Sequence, residues 1–338
     1  MKSFVVGAAN KFGIEDLPVP QPGAGEVLVK VAYAGICGSD MHIIHGQNPF
    51  ATYPRITGHE FVGTVENIGN KVTKIQAGQK VVINPAISCG KCRPCVIGRP
   101  NVCTRLKVVG VHRDGGFTEF QSVPETNIHV LPDGLSLRDA ALIEPYSIAA
   151  NVFDRMGYQK GDQVLVYGAG VIGLTVIQVA RILGIPSIVV DIVDDRLEVA
   201  EMLGAGCVIN SMTESVEDRV TEMTDGEGIP LIVDAAGIPG LVPEILKLAA
   251  PAGSVCLLGF SSTPSEVSQI EVIKKELTIV GSRLNNNMFP TVIGWMADGL
   301  LDTEKLITHE FPLEKAPEAI NLIENSPHLV RKVLLNIQ

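Results

Sequence analysis

Gly168-Ala-Gly170-Val-Ile-Gly173 follows directly on the apolar run Val164-Leu-Val-Tyr and opens a second one, Leu174-Thr-Val-Ile. A glycine-rich hexapeptide alone constrains little. Strand, glycine turn and helix in that order describe the start of a βαβ unit, whose turn receives a pyrophosphate against helix N-terminal amides such as those of Val171 and Ile172. Gly168 permits the tight turn, Gly170 lets the backbone approach the phosphate, and Gly173 lets helix and strand pack closely. The next strand, Ser187-Ile-Val-Val-Asp, ends on Asp191, where a carboxylate accepts hydrogen bonds from an adenosine ribose. An acid there repels a 2'-phosphate, so NAD is favoured over NADP. Arg196, a few residues on, is either a neighbour of the adenine or a solvated helix arginine. Leu231-Ile-Val-Asp and Ser254-Val-Cys-Leu-Leu continue the alternation of apolar strands with helix-length segments, which predicts a parallel sheet covered on both faces.

Before Gly161 the texture differs. Glu26-Val-Leu-Val-Lys-Val-Ala-Tyr, Phe61-Val-Gly-Thr-Val-Glu, Lys80-Val-Val-Ile and Phe117-Thr-Glu-Phe-Gln-Ser-Val are short runs separated by glycine and proline, which predict an all-β barrel or sandwich. After Arg283 the strand–helix rhythm ends in Asn285-Asn-Asn, a helix over Phe289–Gly299 and a last strand, Lys332-Val-Leu-Leu-Asn. Two textures within 338 residues predict two domains. A formal net charge of -10 without a basic cluster repels a phosphate backbone, which argues against nucleic acid as a partner. No apolar run is long enough to span a bilayer and the N-terminal one is too short for a secretory signal, so a cytoplasmic protein with no membrane partner is expected.

Five of the seven cysteines fall in metal-like contexts, leaving Cys207 and Cys256 as small buried hydrophobes. Cys89, Cys92 and Cys95 recur at three-residue steps and Cys103 closes the set. Four thiolates with no open position describe a structural zinc site, and an iron–sulfur cluster or a redox dithiol are the other chemistries such spacing allows. No acid, base or hydroxyl relay accompanies them, so the reaction belongs elsewhere. Gly35-Ile-Cys37-Gly-Ser39-Asp40-Met-His42 and Gly58-His59-Glu60 supply a thiolate and an imidazole with carboxylates beside each. Together with one further ligand these make a catalytic zinc site that keeps a vacancy for an alcohol or water. Asp40 is placed to accept from the second ring nitrogen of His59.

In these motifs, and in their order along essentially the whole chain, the sequence resembles the zinc-dependent medium-chain dehydrogenases/reductases, the group of alcohol, sorbitol and threonine dehydrogenases. Gly110-Val-His-Arg-Asp-Gly-Gly-Phe and Leu142-Ile-Glu-Pro-Tyr liken it within that family to the bacterial starvation-sensing-type and sugar-acid dehydrogenases. The resemblance implies a GroES-like β-barrel catalytic domain over residues 1–146 and 286–338, with a structural zinc lobe at 88–104, and a doubly wound α/β Rossmann domain over 147–285. It makes Cys37 and His59 ligands of the catalytic zinc, Glu144 the third ligand, and Glu60 a carboxylate that replaces water or ligates directly. Ser39 becomes the hydroxyl touching the substrate oxygen and His42 the outer end of a proton relay. Gly259, Ser282 and Arg283 join the cofactor contacts. Alcohol dehydrogenases proper have a cysteine as third ligand, whereas the Glu144 context follows the polyol branch.

Two zinc ions and NAD per chain are therefore expected, with hydride leaving a zinc-stabilised alkoxide for the nicotinamide. Substrate-facing candidates are His45, Asn48, Tyr53, His112, Arg113, Arg283, Asn285 and Asn286. An arginine among them would recognise a carboxylate bidentately, which favours a sugar acid over a neutral polyol, with threonine as a third possibility. The rival readings are an NAD-binding regulatory protein without turnover and a zinc-free reductase. A homodimer or homotetramer is expected, with the segment Glu276–Gly281 as a sheet edge able to pair across a two-fold.

Overall fold

The computed structural model describes residues 1–338. The chain divides into one unit made of Met1–Glu144 with Phe289–Gln338, and another made of Pro145–Met288. The first runs through β1 (Lys2–Ala8), β2 (Lys11–Asp16), β3 (Glu26–Ile36), α1 (Gly38–Ile44), β4 (Arg55–Ile56), β5 (Glu60–Ile68), β6 (Lys80–Ile83), β7 (Ala86–Ile87), α2 (Arg93–Val96), β8 (Lys107–Val108), β9 (Phe120–Pro124), β10 (Ile128–Val130) and α3 (Leu137–Ala140). Helix α4 (Ile143–Met156) leads into the second, where β11 (Val164–Tyr167), α5 (Val171–Ile182), β12 (Ser187–Asp191), α6 (Asp194–Met202), β13 (Cys207–Asn210), α7 (Val216–Met223), β14 (Ile229–Asp234), α8 (Val242–Leu248), β15 (Ala249–Leu257), α9 (Gln269–Lys275) and β16 (Thr278–Gly281) alternate. Then α10 (Phe289–Ala297), β17 (Ile307–Pro312), α11 (Ala316–Asn325) and β18 (Lys332–Asn336) return to the first unit.

In the first unit β3 is the organising strand. Its neighbours are β5, β9 and β18, within a sheet ordered β10-β6-β5-β3-β18-β17. Register shifts between Leu28 and Val29 and between Val31 and Tyr33 curve the β3–β5 pair, as bulges do. Gly63 opposes Val31 in that pair, and a Cβ on it would stand 2.1 Å from the Lys30 carbonyl oxygen, so this close approach requires glycine. Valines and isoleucines of these strands, with Phe4, Phe61 and Phe117, form the core. Gly35 of β3 pairs with Glu60 of β5 on one side and Leu334 of β18 on the other. One end of the sheet therefore collects the end of β3, the start of β5 and the start of β18.

The second unit holds a parallel six-stranded sheet ordered β13-β12-β11-β14-β15-β16, the doubly wound arrangement. All of β11 and β12 is buried, which is why both read as unbroken apolar runs. β16 lies at the sheet edge, where the sequence put it.

Several expectations need correction. Only Phe120–Pro124 of the run from Phe117 is strand. The Phe117 ring instead packs where a Cβ on Gly58 would come within 2.4 Å of it. Cys256 is buried, but Cys207 is half-buried with its Sγ 3.8 Å from Arg219 Nη2. The hairpin of β1 and β2, and β17 with α11, were not anticipated: β2 has three half-buried residues, three exposed ones and none fully buried, and so lacks a clean apolar alternation.

Candidate active site

Cys37 is the N-cap residue of α1, and Asp40 occupies the third position of that helix. The Asp40 carboxylate accepts from the Cys37 amide at 2.9 Å, the reach-back half of a capping box, and from the Gly58 amide at 3.0 Å. One fully buried acid thus ties the Cys37 turn to the Gly58–His59 turn. Gly58 has φ +92°, a left-handed conformation that glycine adopts without strain. Asp40 Oδ1 lies 3.6 Å from His59 Nδ1, a charge contact longer than a hydrogen bond, so the hydrogen bond expected between these two residues is not made. The other ring nitrogen, Nε2, faces Ser39 Oγ at 3.4 Å.

The donor atoms of Cys37, His59 and Glu60 all lie within 4.8 Å of one another. Burial alone would lower the His59 pKa, but Asp40 and Cys37 outweigh it and hold the imidazole well above its usual range in the metal-free chain. The same negative neighbours favour a divalent cation. A soft thiolate, an imidazole and a hard carboxylate, brought together on two turns that Asp40 ties to each other, fit zinc. Glu144 is also buried, and that burial chiefly pushes its pKa up to about 7; His59 and Lys332 pull it down while Glu60 and Asp40 push it up. Glu144 thus belongs to the same electrostatic cluster, although Glu60 supplies the carboxylate of the compact donor trio. His42 is exposed on α1, three residues from Ser39 and so on the same helical face.

Lys332 went unnoticed in the sequence. Its Nζ lies 2.9 and 2.7 Å from the two oxygens of Glu60, and the pair is buried. The available signal was a lysine heading the otherwise apolar strand Lys332-Val-Leu-Leu.

Cys89, Cys92, Cys95 and Cys103 are free thiols whose sulfurs also lie within 4.8 Å of one another. The amides of Cys95 and Thr104 bring the Cys92 thiol down to about 5, and those of Lys91 and Cys92 bring Cys89 to about 7. Cys103 accepts from the amides of Cys89 and Arg105, both at 3.3 Å. Four sulfurs within reach of one ion, three of them supplied with amide donors, fit a closed tetrahedral zinc site.

Most of the polar loop candidates of the first unit are engaged elsewhere. Arg113 pairs with Glu26 at 2.9 Å, at the far end of β3 from Cys37. His45 bonds Asn10 and Glu324, each at 2.9 Å, and Tyr53 donates to the Ile43 carbonyl. Asn48 accepts from the Phe50 amide at 2.9 Å, and His112 stacks on Phe50 while bonding the Val108 amide.

In the second unit a cavity of about 710 Å³ opens where β11, β12 and β14 end, lined by Gly168, Gly170, Asp191 and Arg196 among others. Tyr167, Ser211 and Glu244 also line it and were not anticipated; Tyr167 donates to Glu244 at 2.7 Å. Gly168 has φ +96°, and a Cβ on Gly173 would stand 1.8 Å from the Gly168 carbonyl oxygen. Asp191 is preset by three amides, those of Ala169 at 2.7 Å, Ile192 at 2.8 Å and Val193 at 3.1 Å, and Arg196 approaches it at 4.0 Å. These groups fit the adenosine and pyrophosphate of a dinucleotide. Val171, Ile172, Gly173, Gly259, Ser282 and Arg283 do not line this cavity. Ser282 accepts from Asn151 at 2.7 Å, whose side-chain oxygen accepts from the Asn286 amide at 3.2 Å. Gly259 closes against Gly237, to whose Cα a Cβ at 259 would come within 2.6 Å. Asn285 is buried.

The chain matches the family models of an alcohol dehydrogenase GroES-like domain over residues 23–133 and of a zinc-binding dehydrogenase over residues 171–298. The starvation-sensing protein RspB of Escherichia coli K12 is 47% identical over 337 residues, 99% of either chain. L-galactonate-5-dehydrogenase of the same organism is 35% identical over 320 residues, 94% of this chain and 93% of that one. The crystal structure of RspB from E. coli CFT073, complexed with NADH, has a TM-score of 0.96 at 46% identity and covers 100% of this chain and 99% of that one. By these family models and relatives the chain belongs to the zinc-type medium-chain dehydrogenases.

Proposed function

We propose that the protein oxidises a secondary alcohol of a sugar acid or polyol to the keto product. At the coarser level it is an NAD-dependent zinc alcohol dehydrogenase. The observation that carries the proposal is the compact trio of half-buried Cys37, buried His59 and a buried carboxylate, with the Ser39 hydroxyl beside it. Cys37, His59 and one of the two buried acids hold the catalytic zinc in this reading, and the four cysteines hold a second ion. Bound zinc supplies a Lewis acid that favours ionisation of the alcohol, and NAD supplies the hydride acceptor. Asp40 holds the Cys37 turn and the Gly58–His59 turn together. Ser39 Oγ accepts the hydroxyl proton as it gives up its own, and His42, on the same face of α1, is the outer end of the relay that releases a proton to solvent. Burial of His59, Glu60 and Glu144 keeps bulk water from the reacting groups.

The sugar-acid preference draws its support from the likeness to L-galactonate-5-dehydrogenase. Arg113, occupied by Glu26, lends none. NAD reduction by the two-zinc protein is to be screened over aldonates, polyols and hydroxy amino acids. Turnover is expected with aldonates or polyols; turnover confined to threonine, or absent throughout, overturns the proposal.

A further inference from the structure

Asp191 and the Gly168–Gly173 turn suit the ribose and pyrophosphate of a dinucleotide, parts that are alike whatever base it carries. We infer that Glu244 and Tyr167 read the base: Glu244 accepts a hydrogen bond from the C6 amino group of adenine, and Tyr167 is the positioning residue that aims it. The protein then selects an adenine dinucleotide over one with an oxo group at C6. This rests on the reading of the second unit's cavity as the seat of the adenosine half.

Three observations carry it. The first is where the base must lie. Strand order puts β11 between β12 and β14, with Tyr167 level with Val190 on one side and Asp234 on the other. Ile192, next to Asp191 at the end of β12, is 61% exposed; Ile238, beyond β14, is 55% exposed, and both line the cavity. A base joined to a ribose at Asp191 and covering these two apolar side chains lies over the end of β11, at Tyr167.

The second is the state of the acids. Besides Asp191, the cavity wall carries Glu214, Glu217 and Glu244. Glu214 faces Arg219 at 3.6 Å and Glu217 pairs with Lys247 at 2.7 Å. Half-buried Glu244 forms no ion pair. Its side chain has one hydrogen bond, from the Tyr167 hydroxyl to Oε1 at 2.7 Å, and Oε2 has no partner in the chain.

The third is the hydroxyl itself. Tyr167 is buried in the core cluster of Val216, Val242 and Ile245, which holds its hydroxyl in place. Burial, and then the bond to Glu244, push its pKa far up, so it stays protonated and donates. Oε1 is thereby occupied, and Oε2 is left to take a donor from the ligand. Adenine offers its C6 amino group, whereas hypoxanthine carries an oxo group there, whose lone pairs meet those of the carboxylate. Only by sliding in its own plane could hypoxanthine offer its N1–H instead.

Titration calorimetry of the two-zinc protein with NAD and with nicotinamide hypoxanthine dinucleotide tests this without turnover. The wild type should bind NAD about tenfold more tightly, the effect of one charge-assisted bond. Glu244→Gln presents an amide able to accept from one base or donate to the other, so the two affinities should come within about threefold. Tyr167→Phe should lower the preference by less than Glu244→Gln does; a merely structural tyrosine would weaken both dinucleotides alike and leave the ratio unmoved. Glu217→Gln, on the same wall but committed to Lys247, should keep the wild-type ratio. Equal wild-type affinities, or an unchanged ratio in Glu244→Gln, overturn the inference. So does a loss of preference in Glu217→Gln as large as that in Glu244→Gln, which would make the preference a matter of summed charge. Binding of neither dinucleotide defeats the assignment of the cavity itself, and the base reader with it.

Discussion

His129 on β10 is half-buried with its ring stacked on Phe289, the centroids 5.2 Å apart. Desolvation lowers its pKa below 6.5 in the folded chain. Between that lowered value and 6.5 the unfolded chain binds a proton that the folded chain does not, so stability falls as pH drops through 6.5 and is regained as pH rises above it. Replacing His129 with Phe keeps a ring against Phe289 and removes the titration. The denaturant midpoint of the wild type should therefore fall more steeply below pH 6.5 than that of His129→Phe; parallel curves would contradict this. At the same scale, single-residue chemistry was legible where a residue's type is unusual for its context. The glycines at 168 and 173 could be read because a turn and a close approach demand them, as the 1.8 Å clearance at Gly173 makes plain. Lys332 could not, because its partner Glu60 is 272 residues away in sequence and nothing local marks the pairing.

Among elements, the segment 88–104 is the one least able to hold itself together. Its helix α2 has four residues and buries none of them, while Val96 and Ile97 are 73% and 55% exposed. Hydrophobic burial therefore contributes little here. The four sulfurs are the common point, and metal binding by such sites in small peptides is worth on the order of 10 kcal/mol. Cys92→Ser should reduce the zinc content from two ions to one and make this segment the first site of proteolytic cleavage, with the Cys37 site still loaded. Full zinc content, or unchanged protease resistance, would speak against a structural ion. The lobe was readable because its ligands are local in sequence. The strands β11, β12 and β14 were readable for another reason, since burial on both faces leaves unbroken apolar runs. β2 and β17 were not, because half-exposed strands carry mixed side chains that periodicity cannot separate from loop.

At the scale of the whole molecule, the eight proposed metal donors, Cys37, His59, Glu60, Glu144 and the four lobe cysteines, belong to the unit of residues 1–144 and 289–338, and every residue of the adenosine-sized cavity to the unit of residues 145–288. Ligands that stabilise a folded unit do so through their own affinity for it. ADP-ribose carries the groups that Asp191 and the Gly168–Gly173 turn are shaped to hold, and lacks the nicotinamide. At a hundredfold excess over its dissociation constant it should stabilise the protein by about 2.7 kcal/mol, a rise of roughly 5–10 °C in melting temperature for a unit of this size. Because none of the cavity residues is a metal donor, Cys37→Ser should show the same rise while losing turnover. Asp191→Ala should show the converse: a smaller ADP-ribose shift with both zinc ions retained. Calorimetric melting with and without ADP-ribose, set beside metal analysis of the same samples, checks both. A shift that disappears with the Cys37 thiolate would mean that the two ligands draw on a shared set of groups, and the division of labour between the units would then have to be redrawn.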